Sequence, residues 1–301
     1  MCNHSIAMVN LYPHNVYERK KTVNMTSKNN KLKYSLIIIG VVVVLLLVLV
    51  LVQSPTTSNP NASDSTASTS LVNKVSSINS GIFNSVGIGS ASNLPKPING
   101  TPTTLNGKPQ LIYIGAEYCP YCAAERWAMV AALSRFGTFS NLKLTHSSSS
   151  DVYPDTQTFS FHGATYTSPY LTFTPSEVNS NVVQGNGYAT LDKLTPQEQN
   201  LQNTYDSPPY VASSNAGAIP FIYFGGKYLI TGATYSPQLL QGKTYDQIAS
   251  DLSNPSSDIA KAIIGSANSI TAAICGMTNN QPSNVCNTST IQSILTTINK
   301  Q

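Results

Sequence analysis

The stretch Leu111-Ile112-Tyr113-Ile114-Gly115-Ala116-Glu117-Tyr118-Cys119-Pro120-Tyr121-Cys122 sets two cysteines directly behind a short apolar run. Leu111 to Gly115 suits a buried strand, being short, apolar and bounded by turn signals. Ala123 to Phe136 reads as a helix with Ala124, Trp127, Ala131 and Ser134 or Arg135 along one stripe, closed by Gly137. Leu142 to Thr145 supplies a second strand, so the spacing predicts a βαβ unit with a dithiol at the helix N-terminus. Disulfide exchange requires a thiolate, and a free cysteine with a pKa of about 8.5 is poorly ionised at neutral pH. A helix N-terminus presents unpaired N–H groups and the positive dipole end, both of which favour the anion. Cys119 is therefore the expected exposed nucleophile and Cys122, one turn inside, the expected resolving thiol. Pro120 fits the first turn, where it forfeits no hydrogen bond.

Outward from this unit the signals are mostly local. Asn106-Gly107 marks a hairpin turn ahead of the strand, and Gly225-Gly226 marks another between Phe221–Phe224 and Lys227–Ile230. Thr195-Pro196-Gln197-Glu198 is a capping box with Pro at the first helical position, so a helix is expected to about Tyr205. Residues 146–215 otherwise read as an insertion, with Thr158–Phe161 and Tyr170–Phe173 expected as strands of a hairpin around His162-Gly163. Leu71, Val75, Ile78, Ile82 and Val86 recur at helical spacing, Asp258 to Cys275 is an amphipathic segment stopped by Gly276, and Thr288 caps a last helix bearing Ile291, Ile294, Leu295 and Ile298.

Leu36 to Val52 is an uninterrupted run of Leu, Ile, Val and one Gly, and residues 34–52 reach about the length that spans a bilayer. The net charge of +4 lies entirely before it. Residues 1–34 carry Arg19, Lys20, Lys21, Lys28, Lys31 and Lys33 against Glu18, whereas the 11 Lys and Arg beyond residue 52 face 12 Asp and Glu. The positive-inside rule then puts residues 1–33 in the cytoplasm and residues 53–301 outside, in a single-pass cell-membrane protein, a cleaved signal peptide being the alternative. Met25 opens a second possible start, MTSKNNKLKYS, before the same span. With no positive excess on the outer part, a nucleic-acid partner is not expected. Residues 53–70, rich in Ser and Thr, read as a disordered linker, and residues 71–301 as the extracytoplasmic domain, with a helical extension over about 244–301.

That topology divides the five cysteines. Cys2 is set apart, and Cys119, Cys122, Cys275 and Cys286 lie outside, where disulfides persist. Four cysteines allow three connectivities, and proximity favours 119–122 with 275–286. The second pair would clip the loop between two helices and is read as structural, an accessory redox pair being the alternative. Zinc usually takes two short C-x2-C knuckles; here ten residues separate the second pair, so no metal site and no cofactor are expected.

Two sites about a hundred residues apart resemble the thioredoxin superfamily. Ile114-Gly115-Ala116-Glu117-Tyr118-Cys119-Pro120-Tyr121-Cys122 resembles its strand, aromatic and C-x-x-C, with a Pro-Tyr pair similar to glutaredoxins. Ala218-Ile219-Pro220-Phe221 is placed like the family's cis-proline loop ahead of its hairpin and the trailing Gly232. The layout also resembles an archaeal family of membrane-anchored thioredoxin-like proteins without assigned function, on E-Y-C-P-Y-C and the C-terminal I-C-G-M-T-N-N-Q-P-S-N-V-C. The resemblance implies an α/β thioredoxin-like fold with an insertion before the cis-Pro hairpin and a disulfide-clipped helical extension. It implies a cis peptide at Pro220, with the Ile219 backbone beside Cys119 to hold an extended substrate; a trans Pro opening an edge strand is the alternative. Tyr118, Tyr121 and Phe221 are candidates for an apolar lip, or else ordinary half-exposed aromatics. Trp127 is expected in the core, and Arg126, after Glu125, on the solvated surface. One departure matters: where thioredoxins keep a buried acid six residues before the first cysteine, this chain has Tyr113, and neither Glu117 nor Glu125 has the matching spacing.

The leading expectation is a thiol–disulfide oxidoreductase acting on extracytoplasmic protein thiols or disulfides, as oxidase or isomerase, with a membrane redox partner to reset it. A reductase for one dedicated client would also need electrons carried across the membrane by a partner. From another class comes a thioredoxin-fold binding or chaperone module of the cell envelope, with 119–122 as a non-catalytic staple.

Overall fold

The computed structural model of the chain describes residues 65–301. The expected cytoplasmic segment 1–33, the span at 34–52 and the linker up to residue 64 lie outside the described residues. From Ser65 the chain runs through β1 (Ser65–Thr66), α1 (Thr69–Ser76), α2 (Ser80–Val86), β2 (Lys96–Pro97), β3 (Thr104–Leu105), β4 (Lys108–Gly115) and α3 (Pro120–Leu133). Next come β5 (Thr138–Ser140), β6 (Lys143–His146), β7 (Gln157–Ser160), β8 (Thr165–Thr167), β9 (Thr172–Glu177), β10 (Asn179–Gln184), β11 (Gly187–Thr190) and α4 (Pro196–Tyr205). The hairpin β12 (Phe221–Phe224) and β13 (Tyr228–Thr231) leads to α5 (Tyr245–Asp251), α6 (Asp258–Met277), α7 (Ser283–Cys286) and α8 (Ser289–Ile298).

This is a mixed α/β architecture built on β4. β4 pairs antiparallel with β12, which pairs with β13 and through it with β2. On its other edge β4 meets β3 at its start and β9, in parallel, along Gln110–Gly115. Side chains alternate across this sheet. Leu111, Tyr113, Ile222, Phe224 and Ile230 join the core that contains α3 and α6, while Ile112, Ile114, Phe221, Tyr223 and Leu229 pack with Leu201 and Tyr205 of α4. Both faces are therefore covered, which is why the strand sequences are continuously apolar. Each fully buried side chain of this size contributes roughly 1.5–3 kcal/mol of transfer free energy.

Both local turn readings match the structure. Asn106 and Gly107 take positive φ between β3 and β4, and Gly225 and Gly226 do so between β12 and β13. At Gly226 a Cβ would also stand 2.8 Å from the Thr101 carbonyl. The Thr195 capping box forms and opens α4 at Pro196, and Thr288 caps α8, which buries Ile291, Ile294, Leu295 and Ile298. The Cys275–Cys286 disulfide is present.

Elsewhere the structure corrects the reading. The helix after the dithiol starts at Pro120 rather than Ala123 and ends at Leu133. The strand expected at 142–145 does not complete the βαβ unit: β6 pairs antiparallel with β1 and β7, and the parallel partner of β4 is β9. Thr158–Phe161 and Tyr170–Phe173 accordingly do not form a hairpin, and the expected insertion at 146–215 is interrupted by a strand of the main sheet. Residues 65–70 of the expected disordered linker are part of the folded domain, since β1 pairs with β6 and Ser68 caps α1. The helical pattern over 71–86 is two helices, because Ser77 donates back to the Asn73 carbonyl and Asn79 caps a new start. Gly276 does not stop α6. It lies inside the helix, where a Cβ would collide with the Tyr228 hydroxyl, and the helix ends at Met277 with Thr278 as its cap, ahead of Asn279 and Asn280 at positive φ. Among the described residues α6 alone is long and apolar enough to cross a membrane, yet 89% of its most apolar window is buried, as in a core helix.

Candidate functional site

α3 has no polar face. Between Pro120 and Leu133 all residues but Tyr121 are buried, including Glu125 and Arg126. A helix buried at all positions but Tyr121 holds the residue that caps it rigidly, and that residue is Cys119. Cys119 is the N-cap, and its sulfur accepts the Cys122 N–H at 3.4 Å. Across the sulfur lies the loop before β12, where the Ile219–Pro220 peptide is cis and the Cys119 thiol donates to the Ile219 carbonyl at 3.8 Å. Against the expectation of an exposed nucleophile, Cys119 is only 7% exposed, tucked under the cis-Pro loop, and Cys122 is fully buried. Both are free thiols, so the expected 119–122 bridge is not formed in this structure.

The two thiols are driven apart. The Cys119 thiol is pulled below its ordinary value first by a hydrogen bond from Cys122; burial opposes this, and the Cys122 amide, the Arg126 charge and the Tyr121 amide add to it. Burial pushes the Cys122 thiol well up, and its hydrogen bond to Cys119 adds to that, with Arg126 pulling the other way. Cys119 is thus the sulfur that carries negative charge first.

Arg126, read from sequence as solvated surface, is instead fully buried one turn beyond Cys122. It donates through Nε and Nη2 to the two carboxylate oxygens of Glu177, at 2.8 and 2.7 Å. Glu177, at the end of β9, is equally buried. Nη2 also reaches the Ala116 carbonyl at 2.7 Å, the carbonyl that the Cys119 N–H meets at 3.3 Å. Burial works against the guanidinium charge, but Glu177 outweighs it and holds Arg126 well above its ordinary value. The signal for this was present: a helix of Ala, Trp, Met, Val and Leu has no face on which a charge can meet water. Its partner was not legible, since Glu177 arrives on a strand 51 residues away.

Tyr113 stands on β4 beneath the dithiol, fully buried, with its hydroxyl against Gly115, where a Cβ would collide with it. Burial raises its pKa well above the usual value, so it sits there as a neutral phenol. Glu117 is buried, and its N–H donates to the Asn179 carbonyl at 2.9 Å. Glu125 Oε2 accepts from the Thr234 N–H and hydroxyl at 2.8 and 2.7 Å. Burial pushes the Glu125 carboxyl up to about 7, with the two Thr234 hydrogen bonds opposing.

Of the other expected residues, Tyr118 stacks on Tyr188 of β11 at 4.2 Å, and Tyr121 is 42% exposed with Tyr153 edge-on at 6.1 Å. Ile219 is half-buried and Pro220 buried. Phe221 is no part of a lip: it is fully buried on the α4 side of the sheet. Trp127 is core, as expected, its indole N–H donating to the Gln157 carbonyl at 2.9 Å. Tyr188 was missed by sequence reasoning, although Asn186-Gly187 marks the turn of its hairpin. Among the described residues no three His, Cys, Asp or Glu side chains come together as a metal-binding group.

No curated protein and no solved structure matches the chain. Residues 95–276, which span β4, the dithiol, the cis-Pro loop and most of α6, match a family described as a domain of unknown function, DUF929. The chain belongs to that family.

Proposed function

We propose that this chain is a membrane-anchored, extracytoplasmic thiol–disulfide oxidoreductase of thioredoxin-like type that works on protein substrates as an oxidase or isomerase. One observation carries the reading: the Cys119 sulfur caps a helix buried at every position but Tyr121 and at the same time faces the Ile219 carbonyl of a cis-Pro loop. A structural cysteine has no need of that position, whereas a nucleophile that must meet an extended chain does.

In the oxidase direction the Cys119–Cys122 disulfide is attacked at Cys119 by a substrate thiolate. The protein's S–S bond breaks, its electron pair goes to Cys122, and the burial of Cys122 favours protonation there. A second substrate thiolate then attacks the substrate sulfur of the mixed disulfide, and Cys119 leaves as a thiolate. Two electrons pass from substrate to protein, and a membrane partner that accepts two electrons resets the dithiol. Isomerisation uses the Cys119 thiolate as attacking and departing group with no net electron transfer. A lowered Cys119 pKa speeds its departure, and stabilising the reduced form makes a dithiol more oxidising. Tyr113 offers no carboxylate to take the Cys122 proton in substrate reduction, which also disfavours that direction.

The test is to trap the intermediate. Full-length Cys122→Ala protein, incubated with a disulfide-bearing protein, is expected to accumulate a reducible adduct on Cys119, absent from Cys119→Ala/Cys122→Ala. A protein that stays unmodified through that incubation belongs instead to a binding or chaperone module.

A further inference from the structure

We infer that the loop 147–156 and the β10–β11 hairpin form a docking surface for an extended polypeptide segment whose side chains around its cysteine are apolar and uncharged. This rests on the exchange reading above and names its substrate class. Among the described residues six large hydrophobic side chains are exposed, and four of them, Tyr121, Val152, Val182 and Val183, stand on the first turn of α3 and on these two segments. Val152 and Val183 are the most exposed, at 64% and 66%.

The two segments meet at the dithiol from either side. The Ser148 N–H donates to the Tyr118 carbonyl at 2.8 Å, and Tyr153 sets its ring against Tyr121. The hairpin is held by the Glu117 N–H on the Asn179 carbonyl and is tied to the neighbouring strand by Asn181 on the His146 carbonyl, both at 2.9 Å. Tyr188 stacks on Tyr118, and Val183 is the residue directly opposite Tyr188 in the hairpin register, hence on the same face. Val183, Tyr188 and Tyr118 thus lead to Cys119 from one side, and Val152, Tyr153 and Tyr121 from the other.

Charge decides what fits. Residues 178–191 and 208–220 contain no Asp, Glu, Lys, Arg or His. The carboxylates on this rim are Asp151 and Asp155, and Asp155 lies 3.4 Å from His146. An acidic or basic partner finds little here to pair with, whereas valines left in water at a hairpin tip gain by being covered. An extended chain with Val, Leu or Tyr beside its cysteine covers them.

The experiment reacts the reduced full-length protein in a single turnover with three disulfides, each accepting the two electrons of Cys119 and Cys122: hydroxyethyl disulfide, a peptide disulfide with Leu, Val and Tyr around the cysteines, and one with Asp and Lys there. The ratio of second-order rate constants between apolar and charged peptides is expected to exceed about tenfold, the scale set by one apolar side chain leaving water. In Val182→Ser/Val183→Ser, and separately in Tyr188→Ala, that ratio is expected to fall toward one. A wild-type ratio near one, or a ratio that neither variant moves, overturns the inference while leaving exchange chemistry intact. A dimer that Val182→Ser/Val183→Ser converts to monomer, with peptide selectivity unmoved, assigns the surface to a second copy and likewise overturns it. Failure of all three disulfides to react refutes the exchange reading itself, and the inference falls with it.

Discussion

Replacing Arg126 by Met removes the positive half of an ion pair in which both side chains are fully buried. The buried Glu177 carboxyl then loses its donors Nε and Nη2, and removing one partner of a buried pair costs about 3–5 kcal/mol. Against a typical stability of roughly 5–15 kcal/mol this is a large fraction. With a urea m-value of about 3 kcal/mol/M, it lowers the unfolding midpoint by about 1–1.7 M. Adding Glu177→Leu removes the stranded carboxylate, and replacing a buried pair by apolar side chains is often neutral or stabilising. The double variant is therefore expected to recover most of the loss. About 1 kcal/mol stays lost through the Ala116 carbonyl, which loses its bond from Nη2. Urea unfolding of the reduced proteins supplies the double-mutant cycle. Alkylation of Cys119 across pH supplies a second readout, because the charge of Arg126 helps to lower the Cys119 pKa and neither variant restores it. A single variant that loses less than about 1 kcal/mol, the value of an exposed pair, refutes the buried pairing. A double variant that recovers Cys119 reactivity together with stability refutes the electrostatic role.

Glu125 and the second disulfide give two more expectations. The Glu125 carboxyl rises from an ordinary 4.5 to about 7 in the folded protein, so between those values the folded chain holds a proton that the unfolded chain has lost. Its contribution makes stability fall by about 3 kcal/mol as pH rises from about 4.5 to about 7, and level off above. Glu125→Gln is expected to flatten that part of the profile, and identical pH slopes of urea midpoints in variant and wild type contradict the assignment. Cys275→Ala/Cys286→Ala opens a loop closed across a separation of 11 residues and is expected to cost about 3 kcal/mol in the chain-entropy model. If that variant loses disulfide exchange with its unfolding midpoint unmoved, the pair is redox-active rather than structural.

What was legible in the sequence was local. Asn106-Gly107, Gly225-Gly226 and the Thr195 box carry their conformations within four residues, and all three appear as read. The parallel pairing of β4 with β9 is set by packing between segments about sixty residues apart, and Thr172–Glu177 has no run of its own to announce a central strand. The strand expected at 142–145 forms as β6 but was given the wrong partner for the same reason, since proximity in sequence stood in for adjacency in the sheet. At the site, Cys119 and Cys122 were found from motif spacing and Ile219 and Pro220 through the resemblance to the thioredoxin superfamily, and the structure brings the four together. Arg126 was misplaced because a charged residue early in a helix usually faces water, and only the absence of any polar stripe on α3 argues otherwise. Tyr188 escaped because stacking on Tyr118 depends on how the β10–β11 hairpin folds back over β4.

The most direct test of the central claim is the equilibrium between Cys119 and Cys122 as dithiol and as disulfide. The purified full-length protein is equilibrated in glutathione buffers of graded potential, and its free thiols are counted by mass after alkylation. An exchanging dithiol titrates as one two-electron couple between about −270 and −120 mV, the span of C-x-x-C oxidoreductases. A couple below about −300 mV, where structural disulfides lie, contradicts the account.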